Sequence, residues 1–361
     1  MERKRLMENK RIRVGIIGAG GYGGCGAVEL LSRHPDVEIA ALIDKQDAGK
    51  RISDLYPHLK GFCDLVITAA DDPRRPEDFD AVFFATPDGV GQEEAGAWIE
   101  RGVKVVDYSG DFRFDSTAAY EGYASRIGRS PKHAAPDLLG QAVYGLAELH
   151  RNEISGSSVV GNPGCFAVSC ILGLAPAVRE GIVDPETILC DAKTGVSGAG
   201  KNPSPTFHYP ARYEAMNAYK VSGHQHVYEI ERELGLLAGR DIALTFTPHV
   251  VPLCRGILST LYARLAPGVS PASAEEAFRT FYRNETFVRV FGPHTALTST
   301  HVRGSNFCNL SVHVDERTDM LIVVSMIDNL VKGQAGSAVQ NLNLMFGLEE
   351  TSGLLQPGQY P

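Results

Sequence analysis

Apolar residues in the first half of the chain form short runs that alternate with segments of helical periodicity. The runs are rich in branched residues and bounded by turns, as is typical of buried parallel strands. Between them, residues 93–101 and the segment after Gly24 carry apolar residues at helical spacing. We therefore predict an α/β domain with a parallel sheet, whose strands lie at Ile12–Ile17, Val37–Ile43, 81–86 and 103–109.

The pattern changes near residue 161, after which strand-like runs follow one another with few helices between them. Successive strands with segregated helices predict a mixed or antiparallel sheet and hence an α+β domain. Ser270 and Pro271 open one of its helices, as N-cap and first residue. The predicted strands lie at 187–192, 243–250, Ile257–Leu265, 309–314 and 320–326.

The last part of the chain passes from a strand into a helix at residues 338–346. The apolar face of this helix must be covered, and packing on the first domain would also bring Asn329 near a bound cofactor. We therefore predict that residues 330–361 join residues 1–160 in one domain. Residues 161–329 then form the second domain, which supplies catalysis and oligomerisation.

Composition narrows the class of protein. A chain of 361 residues exceeds the size at which single cores stop growing, so two domains are expected. The formal net charge of −8 argues against nucleic acid or an acidic membrane as the main partner. No apolar run is long enough to span a bilayer, and the basic residues 1–5 are interpreted as a frayed tail. Seven scattered cysteines indicate reduced thiols, so we expect a cytoplasmic protein.

A glycine-rich stretch joins the first strand to the first helix. In this context, glycines allow a tight turn and let the backbone approach a pyrophosphate at the helix N-terminus. A flexible loop is the alternative, which the flanking strand and helix disfavour. The stretch predicts a dinucleotide site formed by Gly18, Gly20, Gly21, Tyr22, Gly23 and Gly24.

Polar residues follow the next strands, at the strand ends where such sheets bind ligands. A carboxylate at Asp44 favours the ribose of NAD, whereas a cation at Lys45 favours the 2′-phosphate of NADP, so the pattern leaves the coenzyme open. Thr86 and Pro87 are a candidate wall of the site. Arg113 either binds a substrate carboxylate or phosphate with its fork of donors or is a solvated surface cation.

Cys165 is the candidate nucleophile. It stands behind a Pro-Gly break and before a helical run of apolar residues, which places its sulfur in the first turn of a helix. Unpaired N–H groups and the helix dipole favour an anion there, so the thiol tends to ionise and become a nucleophile. The alternative is that Cys165 is a small buried apolar residue.

His224 and His226 are the candidate acid/base groups. One of them acts as a general base, both bind a metal, or both are surface histidines on a loop. Metal binding requires a third and fourth ligand, which no Cys/His cluster in the sequence supplies, so we predict no metal site. Glu229 lies one helical turn after His226 and is expected to set its tautomer.

Several short sequence motifs, spread along the chain, occur together. They are residues 109–113, 142–149 (AVYGLAEL), 161–165, 191–200, 223–226 with Glu229, 246–257 (FTPHVVPLCRGI) and 327–336. The combination resembles the N-acetyl-γ-glutamyl-phosphate reductases of arginine biosynthesis over residues 13–354. This resemblance implies a Rossmann domain, a catalytic domain like that of glyceraldehyde-3-phosphate dehydrogenase and a homotetramer. It also implies NADP-dependent interconversion of N-acetylglutamyl 5-phosphate and its 5-semialdehyde.

The resemblance also implies roles for individual residues. Cys165, His226 and His224 are then catalytic, and Ser197, Gly198 and Asn329 contact the coenzyme. Arg113, Asn162, Tyr219 and Glu229 contact the substrate. One departure bears on the coenzyme, because Asp44-Lys45-Gln46 stands where the family commonly has Ser-Arg-Ser, so NAD stays possible beside NADP.

These residues predict a mechanism. The Cys165 thiolate attacks the acyl phosphate, phosphate leaves, and hydride from the nicotinamide reduces the thioester to the aldehyde. His226 is the preferred acid/base group and His224 then contacts substrate, although the two roles are exchangeable. Two other functions stay open: a sister reductase of aspartyl or acetyl-aminoadipyl phosphate, and a non-enzymatic NAD(P)-sensing protein.

Overall fold

The computed structural model describes residues 11–71 and 78–361, so the tail predicted at residues 1–5 lies outside the described residues. Within these ranges the chain forms two compact units. Unit 1 comprises residues up to 120, 132–162 and 335–355, and unit 2 comprises 121–131, 163–334 and 356–361. Residues 121–131 and 356–361, which the predicted division gives to the first domain, thus pack within unit 2. The predicted domain bounds stay a prediction.

The described residues form two sheets. Their strands are β1 Ile12–Ile17, β2 Val37–Ile43, β3 Ile67–Thr68, β4 Ala81–Phe84, β5 Lys104–Asp107, β6 Val143–Tyr144, β7 Val159–Gly161, β8 Val183–Thr194, β9 Asn217–Ala218, β10 Thr245–Val250, β11 Ile257–Leu265, β12 Val288–Phe291, β13 Cys308–Asp315 and β14 Met320–Ile327. The predicted strands at Ile12–Ile17, Val37–Ile43 and Ile257–Leu265 match in both bounds, and the other predicted strands differ by a few residues at their ends.

The α-helices are α1 Tyr22–Leu31, α2 Ile52–Leu55, α3 Val90–Ile99, α4 Thr117–Arg126, α5 Pro136–Leu139, α6 Ala147–Gly156, α7 Cys165–Arg179, α8 Tyr209–Arg212, α9 His226–Ala238, α10 Pro271–Phe281 and α11 Gly336–Met345. Short 3₁₀ turns lie at Pro57–Leu59, Val196–Ala199, Pro205–Phe207 and Ser299–His301, and a π turn lies at Val331–Ala335. Across residues 11–71 and 78–361, every helix is too short or too polar to cross a membrane.

The sheet of unit 1 is parallel throughout, in the order β3-β2-β1-β4-β5-β7-β6. β1 is central and buried from Val14 to Ile17, because it is covered on both faces. The strand order reverses at β1, which pairs with β2 on one side and β4 on the other. Ligands bind at such a reversal, beyond the carboxyl ends of the strands. The predicted Rossmann architecture is confirmed.

The final helix, α11, belongs to unit 1, as its apolar face predicts. It packs on α6 and α1, and it is buried along its whole length. Two polar contacts fix its end, since Lys104 Nζ donates to Met345 O at 2.6 Å and Asn343 Nδ2 donates to Glu350 O at 3.0 Å. The C-terminal helix α11 therefore forms part of the helical layer that packs on the parallel sheet.

The sheet of unit 2 is mixed, in the order β12-β13-β14-β11-β8-β10-β9. β8 pairs with β10 and β12 with β13 in parallel, while the other pairs are antiparallel. Helix α7 lies on this sheet so closely that a Cβ on Gly173 would come within 2.2 Å of Leu261 Cδ1. Because α7 is buried from Phe166 to Val178 and α9 packs against it, its N-terminus is rigidly held. The predicted α+β class of the second domain is confirmed.

Candidate active site

Cys165 is the first residue of α7, with Gly164 as its N-cap in an extended conformation. It is half-buried, whereas Cys25, Cys63, Cys170, Cys190 and Cys308 are buried and Cys254 is exposed. A Cβ on Gly333 would lie 2.7 Å from Cys165 Cβ, so the backbone of the π turn passes directly beside the thiol. The sulfur therefore lies at a helix start where N–H groups and the dipole stabilise a thiolate.

The imidazole of His226 lies against the turn that precedes Cys165. A Cβ on Gly164 would come within 2.4 Å of His226 Nε2, so only glycine leaves room for the ring. Glu229, which is fully buried, lies one turn further along α9. One of its oxygens, Oε2, accepts from Gly164 N at 2.9 Å, and the other, Oε1, lies 3.9 Å from His226 Nε2. Glu229 thus holds the turn before Cys165 by a hydrogen bond, and its second oxygen faces the His226 ring, where it would stabilise a protonated imidazole.

His224 is a buried histidine in a different environment from His226. Its Nδ1 accepts from His226 N at 3.2 Å, which satisfies one of the unpaired N–H groups at the start of α9. Its ring packs edge-on against Phe166, Phe246 and Tyr219, with centroids 5.3–5.7 Å away. Burial first, and then the charges of His226 and Lys220, lower the pKa of His224 to about 2. His224 is therefore a neutral acceptor near pH 7.

Tyr219 belongs to the same cluster in unit 2. It is half-buried, and burial first, followed by the charge of Cys165, raises the pKa of its phenol. Its backbone N donates to Pro248 O at 3.1 Å, which fixes it beside β10. The phenol stays protonated and is a hydrogen-bond donor close enough to Cys165 to feel its charge.

Ser197 and Asn329, two of the residues expected at the coenzyme, are joined directly. Asn329 Nδ2 donates to Ser197 Oγ at 2.9 Å, and Asn329 Oδ1 accepts from Gly256 N at 2.7 Å. Gly198 lies beside them and is exposed, and a Cβ on it would lie 3.9 Å from Asn329 Nδ2. The exposed backbone of this turn is therefore held by a buried amide.

The sequence interpretation did not single out Asp328 or Arg255, which form an ion pair in unit 2. Arg255 Nη2 donates to Asp328 Oδ1 at 3.1 Å, and Arg255 Nε lies 3.1 Å from Oδ2. The buried carboxylate also accepts from Gly304 N at 2.6 Å and Leu330 N at 2.8 Å. It therefore fixes the segment that carries Asn329 and leads to Gly333. The sequence did offer a signal for both residues, because Arg255 lies in the stretch 246–257 and Asp328 in the stretch 327–336, and both stretches contribute to the family resemblance.

In unit 1, the glycine turn has the geometry that a dinucleotide requires. Gly18 has φ +85°, and a Cβ on it would lie 2.3 Å from Ala85 O. A Cβ on Gly24 would lie 2.3 Å from Gly18 O, so α1 starts in direct contact with the turn. Thr86 Oγ1 is buried and has no hydrogen-bond partner among the described residues. The tight turn, the helix N-terminus and this hydroxyl fit a bound pyrophosphate.

The other predicted coenzyme residues of unit 1 follow the ends of β1, β2 and β4. Gly21 is the N-cap of α1, and Gly20 N donates to Asp44 Oδ2 at 3.1 Å. Asp44 Oδ1 accepts from Gln46 N at 2.8 Å and Asp47 N at 3.3 Å, which closes the turn after β2. The residues not engaged in these bonds are Gly23, which is half-buried, and Tyr22, Lys45 and Pro87, which are exposed.

Arg113 is buried, so the surface-cation alternative is wrong. Its Nε donates to Asn162 O at 2.8 Å and its Nη2 donates to Tyr108 O at 2.6 Å. Asn162 is also held through its side chain, because Asn341 Nδ2 donates to its Oδ1 at 3.2 Å. Arg113 therefore ties the end of β7, three residues before Cys165 in the chain, to the end of β5.

Sequence reasoning also missed a buried carboxyl pair, Asp107 and Asp111, around the end of β5. Asp111 accepts from the backbone N of Gly89 at 2.8 Å and of Gln92 at 3.1 Å, and so caps α3. Asp107 Oδ1 accepts from Ser109 N at 2.8 Å and from its hydroxyl. Burial, with the charge of Asp111 second, raises the pKa of Asp107 to about 8. Asp111 carries the charge because helix N–H groups stabilise it, and Asp107 keeps the proton.

This pair makes a prediction about stability. The folded-state pKa of Asp107 is raised, so the stability that its proton contributes is complete below the ordinary carboxyl range near pH 4. That contribution is lost as the pH rises toward 8. Urea unfolding followed from pH 5 to pH 9 is therefore expected to show a smaller loss of stability in Asp107→Asn than in wild type. The matched control, Asp137→Asn at an exposed site of unit 1, should keep the wild-type slope. A slope unchanged in Asp107→Asn contradicts the assignment.

Comparison with known proteins places this geometry in a family. The semialdehyde dehydrogenase NAD-binding domain matches residues 13–157, and the semialdehyde dehydrogenase dimerisation domain matches residues 165–329. The N-acetyl-gamma-glutamyl-phosphate reductase of Desulforudis audaxviator is 47% identical over 352 residues, which are 97% of this chain and 100% of that protein.

Solved structures support the fold. The aspartate semialdehyde dehydrogenase II of Vibrio cholerae, complexed with ASA, has a TM-score of 0.70 at 17% identity and covers 93% of this chain and 98% of its own. The aspartate semialdehyde dehydrogenase of Candida albicans, with NADP, has a TM-score of 0.65 at 16% identity with the same coverage. At such identities the likeness concerns the fold alone.

Proposed function

The chain belongs to the family of N-acetyl-γ-glutamyl-phosphate reductases, and from that premise we propose that its reaction passes through a thioester on Cys165. The reaction is the reduction of N-acetyl-L-glutamyl 5-phosphate to N-acetyl-L-glutamate 5-semialdehyde, with release of phosphate, in arginine biosynthesis. The observation that carries the mechanism is the junction of α7 and α9. There the thiol at a helix start, the Gly164 turn and the His226–Glu229 pair meet within unit 2.

In the first step the Cys165 thiolate attacks the acyl carbon. A carbon–sulfur bond forms, the bond from that carbon to the phosphate oxygen breaks, and phosphate leaves with the electron pair. The N–H groups of the first turn of α7 stabilise the thiolate and the negative charge that develops at the acyl oxygen. The thioester is useful because direct hydride transfer to an acyl phosphate in water competes badly with hydrolysis of the acyl phosphate.

A bound reduced nicotinamide coenzyme supplies the hydride that reduces the thioester carbon. His226 then donates a proton to the oxygen of the resulting thiohemiacetal anion. It takes that proton back as the carbon–oxygen double bond forms and the carbon–sulfur bond breaks. Cys165 leaves as the thiolate, ready for the next turnover. Of the two histidines, His226 has this role because His224 is neutral and uses Nδ1 as an acceptor.

The neighbouring residues position these groups or the substrate. His224 and Glu229 hold His226 and the Gly164 turn, and Tyr219 offers its phenolic hydrogen to a substrate oxygen. Arg113 and Asn162 supply a buried cation and an amide at the ends of β5 and β7 for the substrate's anionic groups. These proposed roles are supported by the burial, the charge and the hydrogen bonds that each residue has within its own unit.

The coenzyme is a nicotinamide dinucleotide held by unit 1, and we propose that it is NADP. The oxygens of Asp44 are already engaged by the N–H groups of Gly20, Gln46 and Asp47. The adjacent Lys45 is exposed and offers a cation for a 2′-phosphate. Ser197, Gly198 and Asn329 form the proposed contacts from unit 2.

The proposal for Lys45 has a direct kinetic test. Lys45→Ala is expected to raise the KM for NADPH about tenfold, the cost of one charge-assisted contact. The KM for NADH should change less than about twofold, because NADH has no 2′-phosphate. Lys50→Ala is the matched control, since Lys50 is exposed and pairs with Asp47 at 2.8 Å. An equal effect of Lys45→Ala on both coenzymes would show that Lys45 meets no 2′-phosphate.

The assembly and location are also proposals. The chain acts on a small molecule and its second unit matches a dimerisation domain, and we propose a homotetramer. The seven cysteines all lie among the described residues and none forms a disulfide, which supports a cytoplasmic location. Light scattering coupled to size-exclusion chromatography checks the assembly, with four chain masses as the expected result.

The substrate is tested by the reverse reaction. Phosphate-dependent oxidation of N-acetylglutamate semialdehyde should exceed that of aspartate semialdehyde by at least about a hundredfold in kcat/KM, because the pocket must recognise the acetylated amine. Comparable turnover of the two aldehydes would favour a sister reductase. Absence of turnover with every semialdehyde, with coenzyme still bound, would favour a sensing role.

A further inference from the structure

Outside the active site, unit 1 brings together a thiol, a carboxylate and an imidazole. Cys25 and Glu29 lie one turn apart on α1, and His58 lies in the 3₁₀ turn Pro57–Leu59. Glu29 Oε1 lies 2.8 Å from His58 Nε2 and 3.8 Å from Cys25 Sγ. A ligand atom from each of the three residues lies within 4.8 Å of the others.

We propose that Cys25, Glu29 and His58 form a binding site for Zn²⁺. In a tetrahedral zinc site with a Zn–S bond of about 2.3 Å and Zn–N and Zn–O bonds of about 2.0–2.1 Å, neighbouring ligand atoms lie about 3.3–3.6 Å apart. The two measured separations need adjustments of roughly half an ångström or less to reach this spacing. The donor set combines sulfur, nitrogen and oxygen, which favours zinc over Mg²⁺ or Ca²⁺.

The site is held in place from both sides. Residues four apart on a helix share a face, so the spacing of Cys25 and Glu29 is set by α1 itself. On the other side, Tyr56 Oη donates to Gly20 O at 2.8 Å, and Leu59 is 2% exposed. The hydrogen bond holds the chain just before His58 against the glycine turn that leads into α1, and the burial of Leu59 anchors the residue that follows His58. The two segments that carry the donors are therefore held close together before any ion binds.

The burial of the ligands suits an ion that enters from solvent. The Cys25 residue is 5% exposed, while the side chains of Glu29 and His58 are 34% and 55% exposed. Binding replaces the thiol proton of Cys25 with the metal and releases that proton to solvent. Three protein ligands leave a fourth position for water. The ion would link α1 to the 3₁₀ turn and stabilise folded unit 1 by mass action. The sequence did not predict this site, because His58 is 29 residues from Glu29.

The test uses Co²⁺ as a spectroscopic substitute for Zn²⁺ in the full-length chain. Cys165 and Cys254, a catalytic and an exposed thiol, are first replaced by serine, which removes two competing ligands. One equivalent of Co²⁺ is then expected to give a thiolate-to-cobalt absorption band that one equivalent of Zn²⁺ abolishes. Zn²⁺ should also raise the midpoint of thermal unfolding.

The ligand variants decide the assignment. In the same background, Cys25→Ser should lose the absorption band. Glu29→Gln and His58→Ala should each weaken Zn²⁺ binding by more than about 100-fold. Loss of a residue that only hydrogen-bonds to a metal ligand typically costs about 10- to 100-fold, and loss of a ligand itself should cost more. His34→Ala, at a histidine elsewhere in unit 1, is the control and should leave affinity unchanged. Because His58 is exposed, His58→Ala keeps the fold even if Cys25→Ser does not. A band that persists in Cys25→Ser, or Zn²⁺ affinity unchanged in His58→Ala, would overturn the proposal.

Discussion

Replacing Cys165 with alanine is expected to lower kcat by a factor on the order of 10⁴–10⁶, as removal of a covalent nucleophile does in other enzymes. Coenzyme affinity should stay within about twofold of wild type, because Cys165 is not among the residues proposed to bind the coenzyme. The acyl-phosphate assay measures the first quantity and coenzyme fluorescence titration the second. Turnover near the wild-type rate would exclude the thioester.

Cys170→Ala is the matched control for this variant. Cys170 lies on the same helix and is fully buried, with Sγ 3.9 Å from Ser259 Oγ. Its replacement is expected to cost stability through a small cavity and to leave kcat within about twofold. If Cys170→Ala lost activity as Cys165→Ala does, the loss would reflect damage to α7 rather than a missing nucleophile.

Alkylation separates reactivity from exposure. Cys254 is exposed and Cys165 is half-buried, so accessibility alone predicts that Cys254 reacts first. The helix N-terminus predicts the reverse, because the thiolate fraction controls the rate. We expect iodoacetamide at neutral pH to label Cys165 faster, and mass spectrometry of the peptides measures both rates.

Replacing His226 with glutamine is expected to lower kcat by about 10²- to 10⁴-fold, the usual contribution of an acid/base group. Glutamine keeps polarity and approximate size but does not exchange a proton, so the KM values should change little. The pH profile should also lose the limb that reports His226. A variant that kept the wild-type profile would show that another group moves the proton.

Variants of the surrounding residues separate positioning from proton transfer. Glu229→Gln keeps an acceptor for Gly164 N but removes the charge 3.9 Å from His226 Nε2. It is therefore expected to shift the limb of the pH profile to lower pH rather than remove it. His313→Gln, on β13 and hydrogen-bonded to Ser311, is the histidine control and should leave the profile unchanged.

The local elements of the fold were predictable because each depends on residues close together in sequence. Buried branched runs predict β1 and β2, and the bounds Ile12–Ile17 and Val37–Ile43 are observed. Ser270 caps α10 as expected, and Ser273 returns the hydrogen bond to complete a capping box. The same local logic predicts Cys165 at the start of α7, because a Pro-Gly break cannot continue a helix.

The roles within the candidate site depended less on sequence. The spacing of His226 and Glu229 predicts that they share a face of α9, and they do. It does not predict that the Glu229 carboxylate accepts a hydrogen bond from Gly164 N, 65 residues earlier in the chain. Nor does it distinguish His224 from His226, because both have the same unperturbed chemistry, and burial together with the charges of His226 and Lys220 makes His224 a neutral acceptor.

The sequence by itself determined the two architectures, the glycine turn between β1 and α1 and the helix start at Cys165, since periodicity and turn residues act over a few neighbouring positions. Only the tertiary structure decided that the His226 ring fits over Gly164, that Asp107 keeps its proton in a buried site near Asp111, and that His58 meets Glu29. Such contacts join residues distant in sequence. They are set by how helices and strands pack, because packing controls both the distances between side chains and the solvation that determines their charge.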